Sequence, residues 1–290
     1  MKLRSAKIGD LIIAFICFGI ILLCLLPVLN IFARSFSSPQ AIVNRMVTFW
    51  PVRPTLENYR YVFLDPAFTR SMLWTAILTL VYTLISLGMT ILCAFPLIYS
   101  KLKGKKIINT YIIFTMYFSA GTIPNYILMK DLRLLGNPLV LILPGCLSVF
   151  NMIILRSFFF NIPDSLRESA EIDGANPFTV LTRIYLPLSG PALATLAIFY
   201  AVGRWNGFGD ALLYLTQTPE YHPIQLKLYN IINNLSSIEI VANEGASGAP
   251  AVSDGMKAAA VMFATAPILL VYPWLQRYFI TGVTIGAVKG

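Results

Sequence analysis

Six stretches of this chain contain no charged residue: Leu11–Phe32, Ser71–Ser100, Ile107–Met129, Leu134–Leu155, Ile184–Gly203 and Ala258–Gln276. No other feature restricts the fold so strongly. A helix needs about 20 apolar residues to cross the hydrocarbon core of a bilayer, and each stretch is near or above that length. Helices of soluble proteins are amphipathic instead. The chain is 57% hydrophobic and 12% charged over 290 residues, against about 25% charged in a soluble domain. The pattern predicts an all-α integral membrane protein with transmembrane helices at 11–33, 71–98, 107–129, 134–157, 188–213 and 258–279, in one domain covering 1–290. The first apolar run exceeds the about 7–15 residues of a signal-peptide core, so it is read as an anchor.

Lysine and arginine in short loops set orientation. Lys2, Arg4 and Lys7 precede the first run, Lys101, Lys103, Lys105 and Lys106 follow the second, Arg167 and Arg183 follow the fourth, and Arg277 and Lys289 follow the sixth. These alternate loops share a side, which places both termini in the cytoplasm. The net charge of +9 is then a topology signal, and no nucleic-acid partner is expected. Cys17, Cys24, Cys93 and Cys146 all fall in apolar runs and read as packing residues. With the single histidine, His222, in an outer loop, no histidine-based metal cluster can form within the chain. There is no phosphate-binding glycine loop and no hydrolase or zinc-protease motif. The runs also lack the ionisable groups by which ion-coupled carriers work. A transporter built this way takes its energy from a partner.

Between the fourth and fifth runs lies Ser165–Leu188, SLRESAEIDGANPFTVLTRIYLPL. Ser165-x-x-Glu168 reads as a capping box, Gly174 as a helix stop, and Asn176-Pro177 as the start of a second helix. Leu166 and Ala170 share a helix face, with Ser169, Glu168, Glu171 and Asp173 around it. The loop 161–187 is therefore expected to present a compact knob with one apolar face and acids around it.

This segment resembles the E-A-A loop of ABC-importer permeases: E-A-A, three residues, G, nine residues, I-x-L-P. Here it reads Glu168-Ser169-Ala170, Gly174 and Ile184-Tyr185-Leu186-Pro187, with Ser169 replacing the first alanine. Thr55-Leu56-Glu57-Asn58-Tyr59 is similar to the T-L-E-N-Y run of carbohydrate permeases. Thr281–Gly290 resembles the tail of the maltose-type second permease. Gly121–Pro124 and Phe199–Asn206 look like the branch that imports complex oligosaccharides.

The resemblance implies a MetI-like permease fold with six transmembrane helices and a cytoplasmic coupling-helix loop. It also implies a bacterial cytoplasmic membrane location and no enzymatic activity of the chain itself. Ser165, Glu168, Ser169, Ala170, Asp173, Gly174 and Ala175 would dock on a separate ATPase. Gly286, Lys289 and Gly290, in a tail at 280–290, would reach between two ATPase subunits. The implied partners are a second homologous permease, two ATPase subunits holding ATP and Mg, an extracytoplasmic solute-binding protein and membrane lipid. The expected cargo is an oligosaccharide, with uronate-containing, alginate-like or pectin-like chains in view. Peptide or amino-acid permeases share the loop, and an ion-coupled carrier acting alone is the reading from another class.

Arg204 lies 16 residues past Leu188, about 24 Å along a helix, hence toward the outer side. Arg204, Trp205, Asn206 and Asp210 are candidate substrate-path residues, with Tyr117, Asn125 and Tyr126. Aromatic faces and amide or guanidinium donors suit a hydroxylated sugar, and arginine suits a carboxylate. Pairing of Arg204 with Asp210 is the structural alternative. Gly121 and Pro124 mark a site of bending or simple helix termination.

Overall fold

The computed structural model describes residues 8–100, 102–242 and 250–287. The described residues form helices without a named strand; the one β-bridge joins Ser37 and Pro54. They divide into two units. One holds the residues up to Thr69 with Lys227–Pro267, and the other Arg70–Leu226 with those from Ile268 on.

In the first unit, α1 (Ile8–Ser35) opens the chain, followed by α2 (Pro39–Val43) and α3 (Glu57–Leu64). Ser38 accepts from the Ala41 amide at 3.4 Å and Pro39 occupies the first turn of α2, where its missing N–H is no loss. Ala33, Ala41, Ile42 and Val47 form a small core with Val52 against it. The Thr55–Tyr59 run has a structural task here. Asn58 is fully buried, and its Nδ2 donates to the carbonyls of Ser35 at 3.1 Å and Ser37 at 2.9 Å. Tyr59 donates to Ser35 Oγ at 2.9 Å. Burial pushes the Tyr59 phenol pKa up, and the Ser35 hydrogen bond opposes the rise.

In the second unit, α4 (Pro66–Ala94) has residues from Arg70 on. Its buried face is hydroxylic: Ser71, Thr75, Thr83, Ser86 and Thr90 recur at helical spacing with Thr79 among them. Its outward side shows Leu73, Leu80 and Leu84, each more than 60% exposed. Lipid-facing helices carry this inverted arrangement, because leucine meets hydrocarbon at no cost while hydroxyls pack closely inside.

The chain continues through α5 (Lys105–Tyr117), α6 (Thr122–Asp131), α7 (Val149–Phe160), α8 (Asp164–Ile172), α9 (Pro177–Val180), α10 (Leu186–Leu188), α11 (Gly190–Asn206) and α12 (Gly209–Tyr214). Then come α13 (Ile224–Ala242) and α14 (Pro250–Ala287). One core joins Phe95, Leu97 and Ile98 to Met152, Leu155 and Phe159 of α7 and to Val180, Leu181, Tyr185 and Leu196. Phe95 and Phe159 each meet the Tyr185 ring edge-on at 5.4 Å. A second core joins Leu78, Met129, Val140–Ile142, Ala211, Leu215 and Leu226. Leu78 and Ala94 mark the two cores on α4, about 24 Å apart at helical rise.

Among the described residues, three helices are long and apolar enough to cross a membrane, or up to six if each bent pair is one span. Three of the six expected spans coincide with these bent pairs. The stretch 107–129 breaks into α5 and α6, bent by 113°. The break lies at 118–121, where Gly121 has φ 91°, and not at Pro124, which sits harmlessly in the first turn of α6. In 134–157, Pro138 and Pro144 lie in 3-10 turns that precede α7, with a 48° bend. At the start of 188–213, the segment Pro177–Leu188 meets α11 at 83°; α11 stops at Asn206 and α12 follows from Gly209. The sixth span lies inside α14. The tail expected at 280–290 is helical as far as Ala287, including Gly286; Lys289 and Gly290 lie outside the described residues.

Candidate functional site

The acidic segment forms α8, with ends that differ from expectation at one side. The helix begins at Asp164, Pro163 occupies the cap, and there is no side-chain cap hydrogen bond. The Ser165–Glu168 box therefore does not form, because Ser165 already lies within the first turn. Proline fixes the backbone at the entry, and Asp164 complements the helix dipole there. At the other end Gly174 has φ +85°. Its amide donates to Glu171 O at 3.1 Å, and the Ala175 amide to Ala170 O at 2.9 Å. These two bonds are the Schellman motif. Nothing lies within 4 Å of a Cβ at Gly174, so Gly174→Ala is expected to cost about 1–2 kcal/mol from backbone strain alone. A lower melting temperature in detergent checks it.

Arg167, which sequence reasoning did not select, holds α8 down. Its side chain is only 13% exposed and pairs with Asp164 at 3.0 Å and Glu171 at 3.8 Å. The guanidinium lies 5.0 Å from the centre of the Tyr99 ring, a cation–π contact. Burial pushes the Tyr99 phenol pKa up, the Glu171 charge adds to the rise, and Arg167 opposes it. The spacing Asp164–Arg167–Glu171 was legible as i, i+3 and i, i+4 pairing. Tyr99, far away in sequence, was not.

Ala170 and Ala175 pack against the core around Phe95, Phe159 and Tyr185. The expected outward face of Leu166 and Ala170 is thus split: the alanine seats the helix on its own chain, being small enough to let the backbone approach. Exposed instead are Leu166, Ile172 at 86% and Phe178 at 69%, with Glu168, Ser169 and Asp173 beside them. Large apolar side chains held in water on a rigid acidic projection mark a contact surface.

The projection continues into a bent stalk. Asn176 caps α9, accepting from the Thr179 amide at 2.8 Å. A π-helical turn spans Leu181–Tyr185. Pro187 follows; it has no N–H to offer the Arg183 carbonyl and would clash with it in a regular helix, which accounts for the wider turn.

Arg204 is buried at the C-terminal end of α11. Its Nη1 donates to Asp210 Oδ2 at 2.5 Å and to Leu141 O at 3.0 Å, and its Nη2 to Asp210 Oδ1 at 2.9 Å and Gly207 O at 3.0 Å. Its guanidinium lies 5.8 Å from the Tyr82 ring centre. Two forked bonds to one carboxylate make a strong pair. Trp205 is buried beside it, while Asn206 is exposed and bonds back to Val202 O at 2.9 Å. Tyr126 belongs to another group: it stacks on Tyr214 at 6.0 Å and lines a pocket of about 150 Å³ with Gly136, Thr216 and Thr218. Asn125 and Tyr117 are exposed, Tyr117 by 81%. No group of three potential metal ligands occurs among the described residues.

Helices with leucine outside and hydroxyls inside define an integral membrane protein, and a pinned projection bearing exposed apolar and acidic side chains stands out from them. Residues 11–285 match the family described as binding-protein-dependent transport system inner membrane component, and the chain belongs to that family. It is 38% identical over 284 residues to the polygalacturonan/rhamnogalacturonan transport system permease protein YtcP of Bacillus subtilis strain 168, covering 98% of this chain and 99% of that one. Protein LplC of the same organism is 39% identical over 287 residues, covering 99% and 97%. A chain in the crystal structure of a bacterial ABC transporter involved in the import of the acidic polysaccharide alginate superposes with a TM-score of 0.85 at 30% identity, covering 96% of this chain and 99% of that one. The permease fold is therefore the fold of this chain, and its place is the inner membrane.

Proposed function

We propose that the chain forms half of the translocation pathway of an ATP-driven oligosaccharide importer, with uronate-containing chains as its cargo. A second, similar permease supplies the other half. Two ATPase subunits hold ATP and Mg and carry out hydrolysis, and an extracytoplasmic binding protein delivers the sugar. Both termini lie in the cytoplasm, on the side of α8. The polygalacturonan/rhamnogalacturonan for which YtcP is named, and the acidic polysaccharide alginate imported by the matched transporter, support the cargo class.

The observation that carries this reading is α8: a helix fixed to its own chain by Arg167, Ala170 and Ala175, with Leu166, Ile172 and Phe178 left for a partner. ATPase closure displaces this projection, and the stalk passes the displacement to α11. Ser165, Glu168, Ser169, Asp173 and Gly174 shape the contact. Gly286, Lys289 and Gly290 add a second one in the tail. In the path itself, exposed Asn125, Tyr126, Asn206 and Tyr117 meet the sugar, within a frame made by Arg204, Trp205 and Asp210.

Glu168→Lys reverses a charge on the projection and leaves its seat intact. The expected result is about a tenfold loss of co-purified ATPase, equivalent to ~1.4 kcal/mol, with the permease still monodisperse in detergent. An undiminished complex with normal uptake would remove Glu168 from the contact. Uptake by vesicles without ATP would overturn the reading as a whole.

A further inference from the structure

We infer that residues 44–53 form an interfacial anchor, seated at phospholipid headgroup level in the leaflet at the C-terminal end of α1. Leu11–Leu29 of α1 is an unbroken run of 19 residues without a hydrogen-bonding polar side chain other than cysteine, and Asn30 ends it. At helical rise such a run spans about 28 Å, close to the hydrocarbon thickness. Asn30 therefore marks the boundary with the headgroups. Its Nδ2 donates to Thr48 O at 2.6 Å. That bond turns the segment after α2 back along α1 and fixes Thr48, Phe49 and Trp50 at the boundary.

The segment is built, not loose. Val47 is buried in the small core and Val52 packs on it. The Val52 amide donates to Ser37 Oγ at 3.0 Å, and the Thr55 amide to Phe36 O at 2.8 Å. With the valines turned in, Met46, Phe49 and Trp50 are left out, at 60%, 42% and 82% exposure. Tryptophan at this depth matches the aromatic belt of membrane proteins.

Arg45 and Arg53 flank the aromatic pair and are exposed. Both have positive φ, 53° and 50°. Arg45 occupies the left-handed position that closes α2, its amide donating to Ile42 O at 3.0 Å and the Met46 amide to Ala41 O at 3.0 Å. Glycine adopts this conformation without strain, so arginine there points to a task for the side chain. Two guanidiniums on either side of a tryptophan at headgroup depth meet lipid phosphates, and this charge match selects phospholipid as the occupant.

The test uses the full transporter in lipid nanodiscs, comparing the native chain with Trp50→Phe; the difference in fluorescence belongs to Trp50. Lipid brominated near the glycerol end should quench that signal more than lipid brominated near the methyl end, and iodide should quench it weakly. Charge reversal at Arg45 and Arg53 should reduce the shallow quenching in discs rich in phosphatidylglycerol. Strong iodide quenching without lipid quenching would place the loop in water and overturn the anchor. Quenching by neither would assign the loop to a protein neighbour, such as the delivering binding protein, and would equally overturn it. Shallow quenching untouched by the charge reversal would overturn the pairing of the arginines with phosphate.

Discussion

Arg204→Ala is expected to lower stability by about 3 kcal/mol, near the lower bound for removing one partner of a buried pair. The lower bound applies because the Asp210 side chain retains 28% exposure, against 6% for Arg204. The loss has two parts. Asp210 keeps a charge with no counterion, and the carbonyls of Leu141 and Gly207 lose their donor. Thermal unfolding in detergent measures it. Arg204→Lys recovers little, since an ammonium cannot serve two carboxylate oxygens and two carbonyls in one plane. Arg204→Leu combined with Asp210→Leu should be more stable than Arg204→Ala, because no buried charge is stranded. A native melting temperature for Arg204→Ala would show that the pair does not hold the end of α11 in place.

The second large effect falls in the other unit. A Cβ on Gly255 would lie 2.4 Å from Asn58 Oδ1 and 2.8 Å from its Cγ. Asn58 cannot retreat without giving up its bonds to Ser35 and Ser37. Gly255→Ala is therefore expected to cost about 2–3 kcal/mol, combining overpacking with weakened buried hydrogen bonds. Expression level and thermal melting report it. Asn58→Ala in the same chain should relieve the clash, so the double variant should fall well short of the sum of the two single losses. Additive losses would mean that the two residues do not meet.

These two sites also show what sequence reasoning reaches. The six apolar stretches were legible because hydrocarbon imposes a length on every span, and the helix–glycine–helix plan of 165–188 because Gly174 and Asn176 each act locally. The breaks within spans were less so. Gly121 and Pro124 pointed to the right region, but proline at a helix start is silent and the glycine conformation decides the bend. The inward turn of Ala170 was hidden, since small residues fit equally a partner's backbone and the protein's own core. Arg204 was selected as ionisable at depth, and its link to Asp210 was anticipated; the carbonyl of Leu141, 63 residues away, was not readable. Asn58 was visible only as part of a resemblance, because a buried amide bridging two carbonyls has no local signature.

The hydroxyl face of α4 has a mechanical consequence. Thr75, Thr83 and Thr90 each donate to a carbonyl four residues back in their own helix. Hydroxyl ties to other elements are few and spread along the helix: the Ile224 amide donates to Thr75 Oγ1, Tyr82 donates to Gly145 O at 2.6 Å, and Thr90 meets the Tyr200 hydroxyl at 2.7 Å. Thr75, Tyr82 and Thr90 are seven and eight residues apart, so these three ties sit about two turns from one another on one face. The helix is thereby stitched to its neighbours at three heights, which fixes its register along its whole length while the opposite side stays free for hydrocarbon.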